Sequence, residues 1–139
     1  MNAIHNVAPE DVANQVSARY FELLQSDKKA FIETFYRNHS SLTFESNTLN
    51  GLEAIGGKWT EPFVANAKFQ VTTANAQHVI HPGIDNNQLG LTLVQITGLM
   101  QLSADDAPMN FTSSLLLAID ADSKGTPYCL RDIFKLVYG

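Results

Sequence analysis

The chain has 139 residues, 45% of them hydrophobic and 17% charged, with a formal net charge of -5. That length fits one domain, spanning 1–139, that buries roughly two thirds of its unfolded surface around a single core, and the composition excludes disordered and collagen-like classes. Nine basic residues scattered along an acidic chain argue against direct nucleic-acid binding, which needs clustered Lys and Arg to displace counterions. A basic partner suits this charge better.

The lone cysteine, Cys129, has no internal disulfide partner and reads as a small buried hydrophobe in a reducing compartment. The first nine residues lack a basic region followed by a continuous apolar run, and no window approaches the roughly 20 apolar residues of a membrane span. An intracellular, soluble protein with no membrane insertion is the expectation. On that reading the sequons Asn38-His39-Ser40 and Asn110-Phe111-Thr112 are accidental.

In chain order, Pro9 with Glu10 and Asp11 makes a good helix start, because proline at the first helical position loses no needed donor and acids favour the positive end of the dipole. Val12, Val16, Tyr20, Leu23 and Leu24 then recur at helical spacing, which predicts a helix over roughly 9–25. Asp27 offers a new N-cap, and Phe31, Ile32 and Phe35 define a shorter helix ending near Asn38. Ser41 to Glu45 alternates as a short strand, and Asn47 to Gly51 is turn chemistry. Leu52 opens a third helix, made short or irregular by Gly56 and Gly57 and closed by Pro62.

From Lys68 onward the pattern is strands. Phe69, Val71 and Thr73 alternate with their neighbours to about Ile80. A loop follows over 82–88, and then a strand from Leu89 to Ser103 whose apolar phase switches between Leu93 and Val94, implying a bulge or burial on both faces. Ala104 to Pro108 is a turn, Phe111 to Asp120 a strand, and Asp122 to Gly125 the last turn. Helices followed by long hairpin-linked strands predict an α+β fold: a cone-shaped, strongly curved antiparallel sheet packed against three helices. The strand around Thr112, Ser114 and Leu116 has no charged face, so the convex side of the sheet is expected to meet a partner sheet.

The terminal run from Thr126 to Gly139 alternates in two registers, with Tyr128, Leu130, Asp132, Phe134, Leu136 and Tyr138 on one side. Asp132 is the one charged residue of that apolar face. A buried unpaired carboxylate is costly, so Asp132 is expected near the cone mouth or a dimer seam, paired with Arg131 of a partner subunit or with a backbone donor.

Several stretches resemble the nuclear transport factor 2 family over nearly the whole chain: Leu42 to Glu45, Leu49 to Gly51 leading into Glu53 to Ile55, Pro62-Phe63, Val71 to Gln77, Ile96 to Gly98, and Asp132 to Leu136, where Asp132 and Phe134 belong to a recurring structural signature. The resemblance implies a domain that dimerises through its sheet, requires no cofactor or metal, and works between nucleus, nuclear pore and cytoplasm. Import members carry the GDP form of the small GTPase Ran and contact phenylalanine-glycine repeats of nucleoporins. Their Ran site, carried onto this chain, implies Phe44, Glu45, Phe69, Asp105 and Asp106, with acids facing a basic surface around a cavity that accepts an aromatic side chain. Phe44 stands where import members usually have tryptophan, Phe69 where they have histidine, and Pro9 where an N-terminal tryptophan contacts nucleoporins. The 56–62 segment and the 82–88 loop differ as well. These departures keep open a sister branch, small export cofactors that heterodimerise with the related domain of an mRNA-export receptor.

A third reading comes from ketosteroid-isomerase-like relatives of the same cone fold, which hold an acid-base pair in the pocket. Asp132, Tyr20 and His78 are the candidates here. His78 and His81 supply two metal ligands where zinc needs at least three, and no phosphate-binding lysine-threonine follows Gly56-Gly57. The sequence therefore favours a non-enzymatic protein.

Overall fold

The computed structural model describes residues 7–79, 90–119 and 126–137. His81, Tyr138, the 82–88 loop and the 122–125 turn lie outside them.

Helix α1 (Pro9–Ser26) starts on Pro9 with Glu10 and Asp11 in its first turn, and it buries Val12, Tyr20, Phe21 and Leu24. The Asp27 side chain accepts from Ala30 N at 3.1 Å and caps α2 (Lys28–Phe35). Helix α2 stops short of Asn38 because Tyr36 is extended, with φ -128° and ψ 159°, which turns its ring into the core. Helix α3 (Leu52–Trp59) runs through both glycines; burial of Ile55 and Trp59 outweighs the roughly 1 kcal/mol that each glycine costs a helix. Pro62 does more than end that segment. It opens a one-turn helix α4 (Pro62–Ala65), using the same tolerance for proline in a first turn. The helices therefore number four among the described residues.

The strands are β1 (Ser41–Phe44), β2 (Asn47–Asn50), β3 (Lys68–Val79), β4 (Gly90–Gln101), β5 (Met109–Ile119) and β6 (Tyr128–Val137), in the spatial order β2-β1-β6-β5-β4-β3. Strand β2 occupies part of the stretch expected as a turn. It is polar and mostly exposed, an edge strand held by pairing with β1 and by Thr43–Thr48 and Ser41–Asn50 side-chain bonds of 2.9 and 2.6 Å. Strand β1 runs parallel to β6, so the sheet is mixed rather than wholly antiparallel. The chain between them is long enough for the crossover a parallel pair requires.

Two bulges bend the sheet. One lies between Val71 and Thr73, so Phe69 and Val71 pack on the core but Thr73 is exposed and Ala74 and Ala76 take over. The other lies in β5–β6 pairing, where Leu116 faces Arg131 and Leu117 faces Cys129; Leu130 is the extra residue, and both Tyr128 and Cys129 are buried. Strand β4 pairs with β5 without a register shift. Its switch in apolar phase reflects apolar residues on both faces, with Val94 buried and Leu93 43% exposed.

The helices cover one face of the sheet. Phe134 stacks on Phe44 at 5.0 Å and on Phe111 at 5.2 Å, with Trp59 edge-on to Phe134 at 5.6 Å. Gly98 makes room for this: a Cβ there would collide with the Gln70 carbonyl and the Phe111 ring.

Candidate functional site

Two groups of carboxylates stand out, one inside the core and one at an end of the sheet. The inner one is Asp132, 1% exposed on the core face of β6. Tyr20 of α1 donates to its Oδ2 at 2.6 Å, and Tyr36, just past α2, donates to the same oxygen at 2.7 Å. The two hydroxyls are 3.0 Å apart. Each owns a single proton, so with both protons directed at Oδ2 none lies between them. Trp59 Nε1 at the end of α3 donates to the Tyr36 hydroxyl at 3.2 Å, and Ser113 Oγ of β5 approaches Oδ1 at 3.4 Å. Burial pushes the Asp132 carboxyl up to about 6, opposed by the hydrogen bonds from Tyr20, Tyr36 and Ser113. Burial also raises both tyrosines, reinforced by the charge on Asp132, and raises Cys129 for the same two reasons.

Asp132 is thus neither at a cone mouth nor at a seam, and its partners are side-chain hydroxyls of its own chain. Arg131 points the other way, exposed, donating to the carbonyls of His39 and Leu130 at 3.2 and 2.8 Å. A mutually satisfied carboxylate, with both tyrosines at 0% exposure, ties three helices to the sheet. His78 is not part of it: Nδ1 lies 2.8 Å from Thr92 Oγ1 and Nε2 2.8 Å from the Val7 carbonyl.

The outer group begins with Glu45, in the tight connection between β1 and β2. Its φ is 60°, a positive value for a residue other than glycine. Two bonds hold it there: Glu45 N donates to the Phe134 carbonyl at 2.9 Å, and Leu136 N donates to Glu45 Oε1 at 2.9 Å. Asp105 and Asp106 are exposed in the β4–β5 turn, where Ser103 Oγ donates to Asp106 Oδ2 at 2.9 Å and Gln101 Nε2 to the Asp106 carbonyl at 2.7 Å. The register brings them to one end of the sheet, since Leu136 faces Phe111, Val137 faces Asn110 and Met109 faces Met100. Phe69, half-buried, lines a cavity of about 120 Å³ there with Lys68, Leu99 and Pro108. Phe44 sits inside, 3% exposed, with Lys58 Nζ 4.5 Å over its ring.

Sequence reasoning singled out Asp132 and Tyr20 but missed Tyr36, Trp59 and Ser113. A signal for the first two was present: aromatic side chains with polar tips at core-facing positions need a buried acceptor or donor.

Four helices over one face of a mixed sheet of this strand order define an α+β domain of the nuclear-transport-factor-2-like class. The chain belongs to the nuclear transport factor 2 family, whose domain model, "Nuclear transport factor 2 (NTF2) domain", matches residues 12–136. It is 30% identical to nuclear transport factor 2 of Emericella nidulans over 129 residues, covering 93% of this chain and 95% of that one. Against the Saccharomyces cerevisiae protein of the same name the identity is 30% over 127 residues, covering 91% and 93%. The solved structure of nuclear transport factor 2 from Cryptosporidium parvum superposes with a TM-score of 0.75 at 20% identity, covering 93% and 94%. The same fold forms part of a larger chain in the Anabaena orange carotenoid protein, matched with a TM-score of 0.68 at 19% identity over 89% of this chain and 36% of that one.

Proposed function

We propose that this chain is a non-enzymatic nucleocytoplasmic import factor that binds Ran-GDP through Glu45, Asp105 and Asp106, with Phe69 at the edge of the contact and Phe44 supporting Glu45 from within. It works as a dimer, shuttling between cytoplasm and nucleus through contacts with nucleoporin phenylalanine-glycine repeats. The observation that carries this reading is Glu45. A non-glycine residue at positive φ is disfavoured by about 1 kcal/mol, and here it is held by two hydrogen bonds at the sheet end that also carries the acidic turn. Retained backbone strain of this kind is found where a side chain must be aimed. Recombinant protein is expected to retain immobilised Ran-GDP and the Glu45→Lys variant to lose it; equal retention by the two would remove the proposal.

One observation favours the second reading, an mRNA-export cofactor. The outward face of β6 carries Arg131 and Lys135 between the exposed apolar side chains Ile133 and Val137, and no acid occupies the alternate, outward positions of β3 to β6 among the described residues. Self-pairing of this face brings uncompensated cations together, whereas a partner sheet bearing acids neutralises them. Capture of an export-receptor domain in place of self-association, measured by size-exclusion chromatography with light scattering, selects that reading. A stable homodimer that ignores the receptor domain eliminates it.

A further inference from the structure

Phe44 closes β1, immediately before Glu45. Phe134 stacks on its ring at 5.0 Å, Trp59 meets it edge-on at 5.5 Å, and Lys58 Nζ of α3 lies 4.5 Å from the ring centroid. The same Nζ is 3.1 Å from Glu61 Oε2, the one ion pair among the described residues. Lys58 is thus engaged within its own chain, neutralising Glu61 and covering the ring that adjoins Glu45. We propose that the Phe44 ring and Glu61 form a seat for a cationic side chain of the basic partner, and that Lys58 is a built-in stand-in which that side chain displaces. The inference rests on the Ran reading for the identity of the partner; the seat itself is made by Phe44, Lys58 and Glu61.

An aromatic face attracts a cation through its quadrupole, and a carboxylate beside the ring adds a charge-assisted hydrogen bond. Both groups are in position before any partner arrives. The Glu61 backbone is fixed by α4, whose Val64 and Ala65 amides donate to its carbonyl at 3.0 and 2.9 Å. The present occupant is held weakly, because the Glu61 side chain is 47% exposed and solvated ion pairs and cation–π contacts each contribute little. Lys58 Nζ makes no other side-chain hydrogen bond among the described residues, so its departure breaks this clasp alone. Arginine is the better occupant: a planar guanidinium stacks on the ring and offers a carboxylate two parallel N–H bonds, whereas an ammonium is a point charge. Displacement also moves the Lys58 charge away from the residue before Glu45, where it opposes the basic surface that Glu45, Asp105 and Asp106 attract.

The test removes the occupant and offers a replacement. Lys58→Ala protein is expected to bind n-propylguanidinium, the arginine side chain without its backbone, saturably in the millimolar range, read from the Phe44 ring and Trp59 indole signals in NMR spectra. Wild type, the neutral isostere n-propylurea, and Lys58→Ala/Glu61→Gln protein are each expected to bind about tenfold more weakly. Circular dichroism melting of Lys58→Ala stays close to wild type, because the clasp is exposed. Ran-GDP is expected to bind Lys58→Ala protein about tenfold more tightly than wild type, while Lys29→Ala, the same change in net charge away from Phe44, stays within about twofold. Absent saturation in Lys58→Ala protein, equal binding of n-propylurea, or equal binding by wild type overturns the seat. A saturable seat with Ran-GDP affinity unchanged in Lys58→Ala overturns the displacement of Lys58 by the partner. Failure of wild type and variants alike to bind Ran-GDP removes the Ran reading instead, and the small-cation titration then decides the seat.

Discussion

Asp132 lies on β6 and Glu45 just past the end of β1, the strand that pairs with it, yet they are opposite solutions to carrying a carboxylate. Asp132, across from Leu42 in the β1–β6 ladder, is enclosed and satisfied by two hydroxyls of its own chain. Glu45 sits just past the Phe44–Phe134 pair, partly exposed, with Oε1 held by Leu136 N and backbone strain retained. The contrast teaches how to read acids in this fold. A carboxylate whose bonds are all internal serves stability, and one held rigid at the surface keeps an oxygen available to a partner.

The largest effect that sharpens this contrast is expected from Asp132→Ala. It strands two buried tyrosine hydroxyls, each at a cost of about 1–3 kcal/mol, so urea unfolding is expected to show a loss of about 3 kcal/mol or more. A loss below about 1 kcal/mol would mean that the tyrosines find other partners and that the centre does not hold the helices to the sheet.

Next in size is a pH effect. The carboxyl of Asp132 rises from 3.8 to about 6 on folding, so the folded state favours the protonated form. Its contribution to stability is fully present below pH 3.8 and is lost as pH rises through about 6. At about 1.4 kcal/mol per pK unit, this group makes the fold roughly 2–3 kcal/mol less stable at pH 7 than at pH 4. The difference in unfolding free energy between wild type and Asp132→Asn, followed over that interval, is expected to change by this amount; a constant difference would show that Asp132 titrates normally despite its burial.

Smallest in stability is Glu45→Gly. Relief of the positive φ gains about 1 kcal/mol and loss of the Leu136 N–H bond costs about as much, so the net change in unfolding free energy is expected within about 0.5 kcal/mol. Ran-GDP retention should nevertheless fall to background. A variant that binds as well as wild type would break the contrast, leaving Glu45 as a strand cap and nothing more.

Much of the fold is legible because the informative patterns are local. The helix starts at Pro9 and Asp27 and the alternation from Arg131 to Val137 follow from capping and from the two-residue period of a strand, and both are seen. The features that were not legible are set by partners distant in sequence. Strand β2 has no apolar face of its own and exists through pairing with β1. The bulges at Val71/Thr73 and at Leu130 depend on the register of neighbouring strands. At the candidate site, the acids Glu45, Asp105 and Asp106 were visible as types in a family pattern, but the strain at Glu45 is a dihedral angle and has no signature in residue identity.

The sequence by itself determined that Asp132 would be exceptional, a single carboxylate on an apolar strand face, and that the chain carries the pattern of the nuclear transport factor 2 family. Tertiary structure alone decided what Asp132 does. Its acceptor oxygen meets Tyr20 and Tyr36, distant by 112 and 96 residues along the chain, and those hydroxyls arrive only when α1 and the end of α2 pack on the sheet. Local patterning dictates which face of an element is apolar; which polar tips meet inside that face depends on packing between elements, and one-dimensional periodicity carries no record of it.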